Sequence, residues 1–266
     1  MVRTVLVTGA NSGLGLATSL HLAELGFHVV GTARSEEKLE ILEKEGIEGA
    51  VLDVTDRAGC EALVGRVEPW GLVNNAGYMN VGRVVDVEPD QALRQLDALV
   101  VAPMHLAALA LPAMRRRGSG RIVNVSSSIA HGTAAMTGWY QAAKHALSAV
   151  TDAFRREVAE DGIDVVLVEP GGLDTGIWDK AEDDLLRRRE KAGDPTPYDR
   201  SLKLLRTTRP YMPGPERAAE VIGRALTAGR PDVRYTVGYD APLVRLSERL
   251  LPDRAHDRLV RAVLGR

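Results

Sequence analysis

The sequence predicts a doubly wound α/β fold, with a mostly parallel sheet sandwiched in three layers. Three observations point to it. Short runs of Val, Leu and Ile alternate with longer stretches of helical periodicity as far as Pro170, and such repetition builds a parallel sheet with helices on both faces. The strand runs are almost continuously apolar, as strands covered on both faces must be. Apolar residues make up 45% of the 266 positions and aromatics only 4%, so the core of one large domain (1–266) is available and must be aliphatic.

The elements read in order as strand 2–7, helix 14–25, strand 28–32, helix 36–45, strand 49–52, helix 57–67, strand 71–74, a long helical region 89–116, strand 121–126, helix 138–161 and strand 165–168. After this sixth strand the alternation stops. Residues 176–215 are charged, carry Pro195, Pro197, Pro210, Pro213 and Pro215, and offer only a surface helix at 183–191. An insertion of that length is a mobile lid or a disordered segment. A lid is favoured, because ligands of open α/β sheets bind beyond the carboxyl ends of the strands. Helix 216–228, strand 233–237 and a helical tail 243–264 complete the chain.

Composition excludes several function classes. The net charge is −2 with both signs interspersed, so no attraction to nucleic acid or to an anionic membrane is expected. Cys60 is the single cysteine. It allows no intrachain disulfide and no cysteine metal cluster, reads as a buried helix residue, and fits a reducing compartment such as the cytoplasm. No metal is expected. The first residues enter a strand without a signal-peptide pattern. The apolar stretch 98–114 is broken by Pro103, His105 and Pro112 and is shorter than a spanning helix requires. It reads as a buried helix, in part against a partner subunit, and not as a membrane segment.

Strand one runs into Gly9-Ala10-Asn11-Ser12-Gly13-Leu14-Gly15. A glycine-rich turn between strand and helix lets backbone approach a pyrophosphate, and the helix N-terminus supplies free N–H groups. Its spacing is not G-x-G-x-x-G, and alone it is equally a tight structural turn. The second strand ends at Ala33-Arg34. An acid at this edge suits a free ribose 2′-hydroxyl, whereas arginine suits a 2′-phosphate. NADP(H) is therefore preferred, with NAD(H) left open. In the other reading Arg34 is solvated and Glu36 or Glu37 meets the ribose. Asp53-Val54 and Asn75-Ala76-Gly77 end the next two strands on the same sheet edge.

Tyr140 and Lys144 stand four residues apart, on one helix face. A phenol is a poor base at neutrality, but a neighbouring ammonium and a cationic nicotinamide favour phenolate and lower its pKa. Tyr140 then has the chemistry to pass a proton to or from a carbonyl oxygen. A serine of Ser126-Ser127-Ser128, at the end of the preceding strand, has the chemistry to orient that oxygen.

Jointly, Thr8-Gly9-x3-Gly13-x-Gly15, Asn74-Asn75-Ala76-Gly77, Tyr140-x3-Lys144 and Pro170-Gly171 resemble the single-domain short-chain dehydrogenase/reductase family, in order and over nearly the whole chain. The resemblance implies a Rossmann-like fold and transfer of hydride between nicotinamide and a carbonyl or secondary alcohol, for which Arg34 makes NADP(H) the preferred cofactor. It implies that Ser127, thirteen residues before Tyr140, orients the substrate, that Tyr140 is the general acid/base, and that Lys144 tunes the tyrosine and holds the nicotinamide ribose. It further implies that Asp53 and Val54 meet adenine, that Asn75, Ala76 and Gly77 wall the ribose side, and that Pro170, Gly171, Leu173 and Thr175 meet the carboxamide. The tail, with 234–238 and 251–254, is similar to the 17β-hydroxysteroid and retinol dehydrogenase-like branch.

One position departs from the family. Its proton-relay asparagine, in the helix before strand five, aligns with Leu99, and Asp97 points elsewhere. Either Lys144 reaches solvent differently, turnover is slower, or the reaction is unusual; a helix shifted by one turn would remove the departure. A cofactor-binding sensor or scaffold with weak catalysis is the alternative function. A nucleotide-sugar epimerase would need a larger substrate domain. Tyr78, Met79, His131, Met136, Trp139, Trp178, Tyr211 and Met212 are candidate pocket residues, suited to a small apolar carbonyl or alcohol. His131 is equally a solvated loop residue. The apolar 98–114 helix and the helix bearing Tyr140 predict a homodimer or homotetramer.

Overall fold

Seven parallel strands form one sheet, in the order β3-β2-β1-β4-β5-β6-β7. They are β1 (Thr4–Val7), β2 (His28–Ala33), β3 (Glu48–Val51), β4 (Gly71–Asn74), β5 (Gly120–Val125), β6 (Ile163–Pro170) and β7 (Arg234–Val237). The structure, a computed structural model, describes residues 2–131 and 133–238 with Pro252, Arg254, Ala255 and Arg258. The helical tail expected at 243–264 and most of 251–254 lie outside the described residues.

Alternate strand positions face opposite layers. Val5, Val7, Val73, Val123 and Val166 pack with Leu22, Leu42 and Ile222 on one side. Leu6, Leu72, Ile122 and Val165 pack with Leu63, Leu106 and Phe154 on the other. The first layer holds α1 (Gly13–Glu24) and α2 (Glu40–Lys44); the second holds α3 (Arg57–Val67). The order reverses between β1 and β4, so a crevice opens at their carboxyl ends.

The long helical region is interrupted. It comprises α4 (Pro89–Leu96), a π-turn at Asp97–Val101 and α5 (Ala102–Arg117). The Ala102 N–H reaches back five residues to the Asp97 carbonyl. Pro103, having no N–H, offers nothing to the carbonyl four residues before it, that of Leu99, and the winding loosens here. The run Pro89–Arg117 spans 29 residues and is long and apolar enough to cross a membrane, so the argument from a short stretch does not stand. Half of its most apolar window is buried inside the domain.

The helix after β5 is α6 (Gly138–Glu157). The 176–215 segment differs from the expected open lid with one helix. It folds as α7 (Ile177–Lys191) and α8 (Thr196–Thr208), followed by a short 3-10 turn, Arg209–Tyr211. Ala181, Leu185, Tyr198, Leu202 and Leu205 form an apolar cluster with Met79, Val81 and Met136, and Tyr140 packs against it. The Tyr198 hydroxyl donates to the Asp86 carboxylate, and Arg188 donates to the Asp86 carbonyl and, at 2.7 Å, to Gln91 Oε1. The hairpin is thus docked through a core of its own. The last helix, α9 (Glu216–Thr227), packs beside α1 and leads to β7. Arg234 on β7 pairs with buried Glu169 of β6 and with Asp152 of α6 at 3.0 Å.

Candidate active site

A cleft of about 1140 Å3 opens along the carboxyl ends of the strands. It starts at the turn after β1. Gly13 adopts φ +51°, and a Cβ there would stand 3.1 Å from Cβ of Thr175. At Gly15 a Cβ would lie 2.1 Å from the Gly9 carbonyl oxygen, so no side chain fits. Ser12 caps α1 by position, yet its side chain makes no capping hydrogen bond, and the first turn holds no acid. The opening N–H groups of α1 and its positive dipole end are therefore available to an anion. The Thr8 hydroxyl receives the N–H groups of Asn75 and Ala76, each at 3.0 Å, and the Asn75 amide donates to the Thr8 carbonyl at 3.0 Å. These bonds join the ends of β1 and β4 into one wall.

Every residue assigned to a cofactor from sequence lines this cleft: Gly9, Asn11, Ser12, Gly13, Leu14, Gly15, Arg34, Asp53, Val54, Asn75, Ala76, Gly77, Tyr140, Lys144, Pro170, Gly171, Leu173 and Thr175. Ala33 is 2% exposed. Beside Arg34 the cleft wall includes Lys38, a cation the sequence reading passed over. Glu36 and Glu37 are exposed and are not among the described residues of the wall. Asp53 bonds the Thr55 backbone and hydroxyl at 2.9 and 2.7 Å. Burial pushes its carboxyl up, but the Thr55 hydrogen bonds and the Arg34 charge outweigh that and hold it below the usual value.

At the other end stand Ser127, Tyr140 and Lys144. Tyr140 lies in the first turn of α6 and Lys144 one turn on. The Ser126 hydroxyl donates to the Lys144 carbonyl at 3.3 Å, tying α6 to β5. The Ser127 hydroxyl donates to the Pro170 carbonyl at 3.3 Å and also bonds the Tyr140 hydroxyl. Lys144 is 5% exposed; its Nζ donates to the Val125 carbonyl at 2.8 Å and sits 5.7 Å from the Tyr140 ring centre.

Tyr140 was expected below its ordinary pKa with an ammonium and a cationic nicotinamide beside it; in the chain alone burial pushes it up to about 12, with the Ser127 bond opposing. Lys144 is pushed down to about 8 by burial. Desolvation disfavours the charged form of each; the Lys144 ammonium donates to the Val125 carbonyl while lying over the Tyr140 ring.

Leu99 lines the cleft and is 1% exposed. A Cβ on Gly77 would meet its Cδ2 at 2.8 Å, so the side chain lies against the β4 end. Asp97 also lines the cleft, but its carboxylate pairs with Arg57.

The substrate end is narrower than expected. Tyr78, Met79, Trp178 and Met212 line the cleft, together with Ile177, Thr133 and Lys180. Met136, Trp139 and Tyr211 are not among the described residues of its wall. Met136 is buried in the α7–α8 cluster. The Trp139 indole N–H donates to the Val84 carbonyl at 3.2 Å, and Tyr211 is 87% exposed. The side chain of His131 lies outside the described residues. Among the described residues no group of three or more His, Cys, Asp or Glu could hold a metal ion.

The sequence profile described as short chain dehydrogenase matches residues 3–186. The chain belongs to this family. Among relatives of this short-chain dehydrogenase is the uncharacterized oxidoreductase YbbO of Escherichia coli (strain K12), 31% identical, covering 98% of this chain and 94% of its own length. Another is the NADPH-dependent 3-dehydrocapnine reductase of Ornithobacterium rhinotracheale, 28% identical, covering 97% and 96%. The crystal structure of a short-chain dehydrogenase from Streptomyces avermitilis superposes with a TM-score of 0.80 at 28% identity, covering 97% of this chain and 94% of that one. The protein is thus an oxidoreductase of Rossmann-like fold in a family that binds nicotinamide cofactors.

Proposed function

We propose that this short-chain dehydrogenase reduces an apolar ketone, or oxidises the matching secondary alcohol, with NADP(H). The observation that carries the reading is one cleft with Arg34 and Lys38 at one end and Ser127, Tyr140 and Lys144 at the other. The glycine turn, the uncapped start of α1 and the two cations fit a dinucleotide carrying a 2′-phosphate. Nicotinamide supplies or accepts the hydride.

The rest falls to the chain. The Ser127 hydroxyl turns from the Pro170 carbonyl to the substrate oxygen and holds it beside Tyr140. The Tyr140 hydroxyl gives its proton to that oxygen as the alkoxide forms, leaving phenolate. The Lys144 ammonium stabilises the phenolate until solvent returns the proton. With Tyr140 raised to about 12, the resting group is the neutral phenol, the form that holds the proton to be given. Met79, Ile177, Trp178 and Met212 give the oxygen's substituents an apolar wall. Cys60 is fully buried and its thiol is pushed up to about 11 by burial, so it stays protonated and takes no part in the chemistry.

The test is Tyr140→Phe. NADPH oxidation by a panel of apolar ketones is expected to fall by about 10²–10⁴-fold, the range for a lost general acid, with cofactor affinity retained. Undiminished turnover removes the tyrosine from the mechanism. The second reading, a cofactor-binding sensor of weak activity, is favoured by one observation: the cleft wall is aliphatic at Leu99.

A further inference from the structure

The segment returning from α8 to α9 is clamped onto the strand end it crosses. Arg209 Nε donates to Asp174 Oδ1 at 3.1 Å, and Arg209 Nη1 donates to Asp179 Oδ1 at 2.5 Å. The Asp174 N–H donates to the Pro213 carbonyl at 2.9 Å, and the Met212 N–H to the Arg209 carbonyl at 3.0 Å. These attachments bracket Met212. Its side chain crosses Gly172, where a Cβ would come within 3.3 Å of the sulfur and 3.5 Å of Cε. No positive φ requires glycine at 172; what it provides is room for the thioether. Met212 lines the cleft, as does Trp178, whose indole N–H is anchored to the Leu173 carbonyl at 2.8 Å. Its neighbour Tyr211 faces solvent, so Met212 is the residue this arm turns inward.

We propose that Met212 is the width gate of the substrate end and that Arg209 is its positioning residue. The inference rests on the ketone-reductase reading above and names the substrates that site admits: carbonyls whose second substituent is slender. An unbranched thioether adapts to a small neighbouring group, whereas a bulky group must displace it from Gly172. Anchored Trp178 gives no such relief. The clamp holds Met212 through ion pairs that are largely exposed: the Asp174 and Asp179 side chains are 52% and 61% accessible. Salt therefore weakens them. Arg209 touches no reacting atom and acts only through the arm it holds.

The experiment compares acetophenone, with a methyl group beside its carbonyl, and benzophenone, with a second phenyl ring. Both kcat/KM values are measured with NADPH for wild type, Met212→Ala, Met212→Phe and Arg209→Gln. Met212→Ala is expected to raise the benzophenone-to-acetophenone ratio by about 10-fold or more, within the roughly 10–200-fold that small volume changes confer in an apolar pocket. Met212→Phe is expected to lower it. Arg209→Gln is expected to move it part of the way towards Met212→Ala, and so is wild type in 1 M NaCl. Loss of a merely structural contact would lower both substrates together and leave the ratio unmoved.

Binding of the same ketones to the NADPH complex, followed by quenching of tryptophan fluorescence, reads the gate without turnover. The same reordering of preference in binding, with neither ketone reduced, upholds the gate and refutes the reductase reading. Turnover with an unchanged ratio in both Met212 variants refutes the gate and leaves the reductase reading intact. A ratio that moves in the Met212 variants but not in Arg209→Gln or in salt overturns the positioning role.

Discussion

Lys144 is buried, with its Nζ donating to the Val125 carbonyl, so replacing it should reveal what its charge does to the fold. Lys144→Met keeps the length of the side chain and removes the ammonium. Burial displaces the lysine from 10.5 to about 8, and at 1.36 kcal/mol per pH unit this is about 3 kcal/mol against the charged folded state. The lost hydrogen bond returns about 1 kcal/mol, which leaves the variant about 2 kcal/mol more stable at pH 7. The sign follows from proton binding. Below about pH 8 the lysine is charged in both states and the folded protein bears the full penalty. Between about 8 and 10.5 the unfolded chain binds more protons, so wild-type stability rises with pH relative to the variant. By pH 10 only about 1 kcal/mol of the penalty remains on that linkage, and the two proteins should be near equal.

Urea unfolding of the cofactor-free proteins at pH 7 and pH 10 measures both values through the midpoints, provided the slopes agree. A variant less stable than wild type by the same amount at both pH values would refute the reasoning. It would mean that the ammonium is well solvated or paired in the folded protein.

Arg34→Ala should weaken NADPH binding by about 10-fold or more while changing NADH little, since a charge-assisted phosphate contact contributes about 1.5–3 kcal/mol; equal losses for both cofactors, measured by fluorescence titration, would assign Arg34 elsewhere. Leu99→Asn places an amide in the wall beside Gly77. If proton return limits turnover, kcat with the best ketone should rise and its solvent isotope effect should shrink; an unchanged kcat would show that Lys144 already reaches solvent by another path. Self-association is expected through α5 and α6. Their exposed residues include apolar or small stripes at helical spacing: Ala108 and Pro112 on one, continued by Val101 of the preceding π-turn, and Ala142, Ala149 and Ala153 on the other. Light scattering at micromolar concentration should give a dimer or tetramer, and a monomer would contradict the pairing.

Strands and cofactor turn were legible because their signals are local and their burial is complete. A run such as Val5-Leu6-Val7, with all three residues fully buried, has no other environment. The glycine turn could be placed because it had to lie between the first strand and the first helix. The α7–α8 hairpin was not legible, because its apolar face is sparse. In α7 only Ala181 and Leu185 are buried among many charges. The prolines read as breakers, Pro195 and Pro197, instead occupy the N-cap and second position of α8, where a missing N–H is tolerated. The spacing Tyr198-x3-Leu202-x2-Leu205 was the available signal. Pocket membership failed for a different reason. Trp139 and Tyr211 are near the site in sequence, but direction depends on tertiary partners: Val84 takes the indole, and solvent takes the phenol.

The pKa directions of Tyr140 and Lys144 bear on how the site works. Proximity of Tyr140 and Lys144 in sequence suggested that the lysine activates the tyrosine directly. In the folded chain both groups are displaced by the same cause, burial, and each towards its neutral form. A neutral phenol is the correct starting state for giving a proton to a carbonyl. A lysine near 8 is still mostly charged at pH 7, yet it is held in that state against the fold's preference. If Lys144→Met is the more stable protein, as expected above, stability does not account for a lysine at this position. Phenolate forming beside the ammonium would relieve the unfavourable burial of both charges at once. The opposition between fold and site is therefore itself the argument that the charge belongs to the chemistry.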